Sequence, residues 1–122
     1  MSTYLKRSPV FKATKGWGVR FYVYETPELL REATHENESK PGEETVGLFR
    51  IGKYSKSGKI HLCMPMMGAG YVAHEIQHFI CYWMVCGELD ICGKHWEKIA
   101  WVTGEITNKY WTWFYKYFSK GV

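Results

Sequence analysis

The sequence lacks the features of an exported or membrane-embedded chain. Its longest apolar run, Phe79 to Cys86, is far shorter than the roughly 20 residues that a membrane-spanning helix needs. The segment Met1 to Lys15 carries four basic residues but no apolar stretch, so it does not have the pattern of a secretory signal. We therefore expect a protein that acts in the cytoplasm of the cell that makes it.

The spacing of the cysteines excludes the common cysteine-based sites. No two of the cysteines are separated by two residues, so the sequence predicts neither a zinc ribbon nor a thioredoxin-type site. Reduced thiols fit the expected cytoplasmic compartment. The four cysteines are Cys63, Cys81, Cys86 and Cys92.

Charge is distributed unevenly along the chain. The first 20 residues contain five basic groups and no acidic one, residues 25–45 contain seven glutamates, and residues 91–122 are basic again. Runs of like charge are usually solvated surfaces, and contact with nucleic acid or an anionic membrane is the alternative interpretation.

The chain has 122 residues, of which 46% are hydrophobic, 23% charged and 17% aromatic. These values indicate one soluble globular domain over residues 1–122.

Local patterns predict an α+β domain with a small sheet, a central helix and a long C-terminal helix. The predicted elements are a strand over Val19–Tyr24, a short helix starting at Thr26-Pro27-Glu28, a loop over residues 35–44, a hairpin of Thr45–Tyr54 and Lys59–Met64, a helix over Tyr71–Val85 closed by a left-handed Gly87, and a helix over Lys94–Phe118.

The informative motif is His74-Glu75-Ile76-Gln77-His78 on the central helix. Residues four apart share one helix face, so both imidazoles can reach one ion. Zinc accepts imidazole nitrogen readily, and Glu75 lies about 100° round the helix, beside the ion. This is the HExxH arrangement of metalloproteases, in which Glu75 is the general base and acid for a zinc-activated water.

The alternative interpretation of this motif is a polar helix surface with two histidines. The surrounding residues are mostly apolar, from Val72 and Ala73 to Val85. Burying three polar groups in such a helix is costly unless they are paired or bind metal. We therefore interpret the trio as a metal site.

A catalytic zinc needs a third protein ligand and an open position. The candidates are Glu97, Asp90, His95, Glu88, Glu105 and the cysteines. Helical geometry favours Glu97. At 100° per residue, the side chains of a stripe along the last helix all lie within about 40° of Glu97, and we expect this stripe to face the motif helix. Ala100, just beside the stripe, and Gly104 within it would then let the two helices approach closely. The stripe contains Trp101, Gly104, Asn108, Trp111 and Tyr115.

The spacing of His74-Glu75-x-x-His78 and Glu97-x-x-Ala100-x-x-x-Gly104 resembles gluzincin-type zincin metallopeptidases. It is similar in particular to compact zincin-like proteins from phages and mobile elements, over residues 70–112. The resemblance implies a minimal zincin-like domain with His74, His78 and Glu97 as zinc ligands and Glu75 as the catalytic residue. His95 or Asp90 remain alternatives to Glu97. A phage-encoded protein would act in the host cytoplasm.

The leading hypothesis is thus a zinc-dependent metallopeptidase, a hydrolase acting on a protein or peptide. Tyr71, Tyr110 and His61 are candidates for stabilising the oxyanion. The strand Lys59–Met64 is the candidate edge strand for substrate. The alternatives are a catalytically silent zinc-binding protein-interaction domain and a DNA-associated protease that uses the basic ends.

Overall fold

The protein has an α+β fold with a small mixed sheet and three helices, as the sequence predicts. The computed structural model describes residues 4–34, 47–52, 55–90 and 92–118, and the predicted loop over residues 35–44 lies outside them. None of the helices in these ranges is long and apolar enough to cross a bilayer.

The strands are β1 (Lys6–Arg7), β2 (Phe11–Lys12), β3 (Gly18–Tyr24), β4 (Gly47–Ile51) and β5 (Ser57–Cys63). The helices are α1 (Pro27–Thr34), α2 (Ala69–Cys86) and α3 (Trp96–Phe118), and a 3-10 turn lies at Met64–Met66.

The sheet has the strand order β1–β3–β5–β4, with β2 also paired to β3. β4 and β5 form the predicted antiparallel hairpin, in which Phe49 pairs with Ile60. On its other side β5 pairs in parallel with β3. The prediction that Lys59–Met64 is an edge strand is therefore wrong, because β5 lies inside the sheet and β4 is at the edge. The burial of Ile60 and Leu62 explains the central position of β5.

One face of the sheet carries the main core and the other face is covered in part by α1. Alternate residues of β3 and β5 point toward α2 and α3 and are almost fully buried. On the opposite face, Leu30 of α1 packs against Tyr24 and Cys63. The predicted cap of α1 is confirmed, because the Leu29 amide donates to Thr26 Oγ1 at 3.2 Å. The main core includes Val19, Phe21, Val23, Ile60, Leu62, Val72, Ile76, Phe79, Ile80, Trp83, Ile99, Val102, Ile106 and Tyr110.

The face of α3 that packs on the domain differs from the predicted one. Trp101 and Tyr115 of the predicted stripe are 68% and 60% exposed, and a Cβ added at Gly104 would meet no described atom within 4 Å. The close helix approach expected at Ala100 and Gly104 is therefore wrong. The buried stripe is half aliphatic and half aromatic and contains no charged residue, whereas the predicted one would bury Glu97 and Asn108, which is costly. The buried stripe consists of Ile99, Val102, Ile106, Tyr110, Trp113 and Phe114.

The end of α2 also differs in detail from the prediction. Gly87 has a φ of −87°, so it is not left-handed, and the next residue, Glu88, has a φ of +55°. Glycine is nevertheless required at position 87, because a Cβ there would stand 2.6 Å from the Trp83 carbonyl oxygen. The left-handed turn that ends the helix thus falls on a glutamate, which is an uncommon residue in that conformation.

Candidate metal centre

The two motif histidines lie together on the exposed face of α2. The Nε2 atoms of His74 and His78 are 3.2 Å apart, and their rings are nearly perpendicular. Two nitrogen ligands of one tetrahedral zinc, each about 2.05 Å from the ion, would lie about 3.3 Å apart. The pair therefore already has the separation that a shared zinc ion requires.

Glu75 completes the group from the buried side of the helix. One donor atom from each of His74, Glu75 and His78 lies within 4.8 Å of the others, and these three form the one such cluster among the described residues. Glu75 is only 7% exposed, so the sequence argument for a buried trio holds for the carboxylate but not for the exposed imidazoles. Burial raises the pKa of Glu75, and the neighbouring histidines partly oppose that rise.

The buried Glu75 side chain packs against the edge strand β4. A Cβ added at Gly47 would stand 2.8 Å from a carboxylate oxygen of Glu75 and 3.4 Å from two of its carbons. Real Cβ atoms do not approach that closely, so the missing side chain of Gly47 makes the space in which the carboxylate lies. The sequence analysis missed this residue, and a lone glycine at the start of a strand carries no signal that could have identified it.

Replacing Gly47 by alanine is expected to displace Glu75. The added methyl group would overlap the carboxylate, so any hydrolysis that depends on Glu75 should fall at least about tenfold while zinc affinity is retained. Gly52→Ala is the matched control, because a Cβ there makes an ordinary 3.6 Å contact with Ser55. Equal activities of the two variants would show that the contact with Gly47 does not position Glu75.

Glu97, the predicted third ligand, is not brought into this group. It is exposed in the first turn of α3, and the nine residues to the fully buried Ile106 rotate the helix by about 180°. Glu97 therefore points away from the core. His78, in turn, lies eight residues before the end of α2, which is about 12 Å along the helix axis.

The other candidate ligands are also outside the cluster. The amide of Asp90 donates to Nδ1 of His95 at 2.9 Å, so these two residues are engaged with each other in the α2–α3 connection. Cys81 is exposed and accepts a hydrogen bond from Gln77. The described residues thus offer two imidazoles and one carboxylate at this centre.

Of the three candidates for stabilising an oxyanion, Tyr71 alone has an exposed side chain. The Tyr110 hydroxyl is engaged, because it donates to the sulfur of Met67 at 2.8 Å. Nδ1 of His61 is hydrogen-bonded to the Tyr24 hydroxyl, and burial, with Arg50 and Lys59 nearby, lowers the pKa of His61 to about 4. Tyr71 is 48% exposed and precedes His74 by one turn on the same side of α2.

Comparison with protein-family models, with curated proteins and with solved structures finds no match to this chain.

Proposed function

We propose that this protein is a zinc-dependent metallopeptidase in which His74 and His78 hold the metal and Glu75 is the general base. The observation that carries the proposal is the pair of imidazole nitrogens 3.2 Å apart beside a buried carboxylate. If the two histidines were unrelated surface residues, nothing would favour a glutamate in the core directly after His74, because burying its carboxylate costs free energy.

Each residue of the site has a distinct role in the proposed reaction. The chemistry that a bound zinc ion supplies is Lewis-acid activation of water and of a carbonyl oxygen. Glu75 accepts a proton from the attacking water and passes it to the leaving amine. Because burial raises the pKa of Glu75, its carboxylate is a stronger base than one in water. Tyr71 is the proposed donor to the developing oxyanion.

An extended peptide is the substrate that the surroundings favour. Among the described strands β4 lies at one edge of the sheet, and its first residue, Gly47, lies against Glu75. A peptide that adds to this edge as a further strand would bring its backbone carbonyls alongside the carboxylate. We therefore propose β4, rather than β5, as the strand that binds substrate.

The third protein ligand is the point at which the resemblance and the geometry differ. The resemblance implies Glu97, whereas the exposed face of α3 carries Glu97 away from the core. The ligand set that the described geometry supports is His74 and His78.

Zinc titration of the purified chain tests the proposal. We expect about one zinc ion per chain and a higher unfolding temperature when zinc is added, since a ligand at 100 times its Kd stabilises the folded state by about 2.7 kcal/mol. Cleavage of a peptide library should require zinc and stop on chelation. Zinc binding without any cleavage would instead favour a silent zinc-binding interaction domain, and the absence of zinc binding would refute the metal site.

A further inference from the structure

A second candidate site lies beyond the C-terminal end of α2. A cavity of about 390 Å³ is bounded by the turn before β3, the turn between β4 and β5, and the start of α3. Its lining includes Trp17 and Trp83, whose side chains are almost fully buried. The cavity contains none of the residues of the metal centre. The end of α2 at Cys86, which lines it, is about 12 Å along the helix from His78.

Three lysines from three separate parts of the chain line this cavity. Lys15 and Lys56 come from the two turns, and Lys98 comes from the first residues of α3. Hydrogen bonds hold the two turns together: the Gly18 amide donates to the Lys56 carbonyl at 2.9 Å, and Lys56 Nζ donates to the Lys15 carbonyl at 3.5 Å. Lys15 and Lys56 are therefore held beside each other by the fold, and all three lysines are exposed to solvent around the cavity.

The positive charge in the cavity is offset only in part by the carboxylate beside it. Glu88 is the one acidic residue in the lining. The ion pair found among the described residues joins Arg31 to Glu28, away from the cavity, so no lysine of the lining is within ion-pair distance of Glu88. Like charges held near one another disfavour the folded state, and an anion in the cavity would relieve that cost.

The backbone around the cavity is strained in two places. Among the described residues, Lys15 and Glu88 are the non-glycine positions with a positive φ, at +46° and +55°. Both of them line this cavity. Left-handed conformations are unfavourable for such residues. Both have local causes here, since Lys15 lies in the turn that joins β2 to β3 and Glu88 ends α2. The case for a ligand therefore rests on the charge and the shape of the cavity.

We propose that this cavity binds the phosphate group of an anionic ligand. Lysine ammonium groups bind phosphate as point charges. The volume is at the small end of ordinary ligand pockets, which suits a diphosphate or a mononucleotide. The same phosphate chemistry is available from a free small molecule or from the end of a nucleic acid strand. The proposal does not depend on the peptidase function.

Calorimetric titration with inorganic pyrophosphate and, separately, with a single-stranded oligonucleotide tests the proposal on the full chain at low salt. We expect pyrophosphate to bind, and we expect Lys98→Gln to weaken that binding about fivefold. Glu88→Gln should strengthen it by a similar factor, since it removes the one negative charge of the lining. Binding of the oligonucleotide with the same variant pattern and at least tenfold more tightly would identify the polymer as the source of the phosphate.

Two matched controls separate a site from general charge. Lys109→Gln and Glu105→Gln change the same charges at exposed positions farther along α3, and we expect both to leave pyrophosphate binding unchanged. The proposal is refuted if pyrophosphate does not bind, or if the controls change binding as much as Lys98→Gln and Glu88→Gln do. Circular dichroism of each variant establishes that the fold is retained.

Discussion

Replacing Glu75 by glutamine is expected to lower the rate of the proposed peptide hydrolysis about 100-fold to 10,000-fold and to leave zinc binding intact. Glutamine has nearly the same shape as glutamate and can occupy the space beside Gly47, but it cannot accept the proton of the attacking water. Loss of a positioned general base typically costs 100-fold to 10,000-fold. The measurement is the rate of cleavage of a peptide substrate by the parent and by the zinc-loaded variant.

The same variant also identifies the substrate. New protein ends that arise in a lysate treated with the parent, but not with Glu75→Gln, mark sites cut by this protein. Glu105→Gln is the control, because Glu105 is an exposed glutamate of α3 and should cut as the parent does. If Glu75→Gln hydrolyses the substrate at the parental rate, Glu75 is not the base and the proposed chemistry fails.

Replacing His78 by alanine reduces zinc affinity at least about 100-fold. The change removes one of two imidazoles whose nitrogens are 3.2 Å apart, and even residues that only support a ligand contribute 10-fold to 100-fold to metal affinity. His74→Ala should have an effect of the same size. Competition with a chromophoric chelator measures the affinity, and the zinc-dependent rise in unfolding temperature should disappear with it.

One control makes this measurement decisive. His95→Ala removes a histidine engaged with the Asp90 amide and should leave zinc affinity unchanged. A loss as large in His95→Ala as in His78→Ala would mean that the metal is not held by the α2 pair.

The same titration examines the third ligand. Because Glu97 faces away from the core, the geometry predicts equal zinc affinities for Glu97→Ala and Glu105→Ala. A loss confined to Glu97→Ala would place Glu97 on the metal, as the resemblance implies.

The parts of the fold that sequence patterns predicted are those determined locally. The alternation of Val19 to Tyr24 and the Thr26 cap each concern neighbouring residues, and each is found in the structure. The turn predicted at residues 55–58 is shifted, because β5 already begins at Ser57. The pairing of His74 with His78 is equally local, since it follows from the pitch of one helix.

The parts that were missed depend on contacts between distant segments. Two faces of α3 both contain aromatic residues, and only the packed domain determines that Ile106 rather than Trp101 is buried. The position of β5 inside the sheet depends on its parallel pairing with β3, which a hairpin pattern in the sequence does not predict. The contact between Gly47 and Glu75 joins residues 28 positions apart and depends on both of these arrangements.

The place of β4 in the sheet determines how Glu75, the proposed general base, is shielded from water. Within the described residues this five-residue strand is hydrogen-bonded on one side only, to β5. Such outer segments detach from a folded protein at a lower free-energy cost than the interior strands do. Each time β4 detaches, the Glu75 carboxylate loses the backbone that covers it and is rehydrated. Under the proposed mechanism, detachment of β4 would weaken the general base, so a substrate that pairs with β4 and holds it in place would favour its own cleavage.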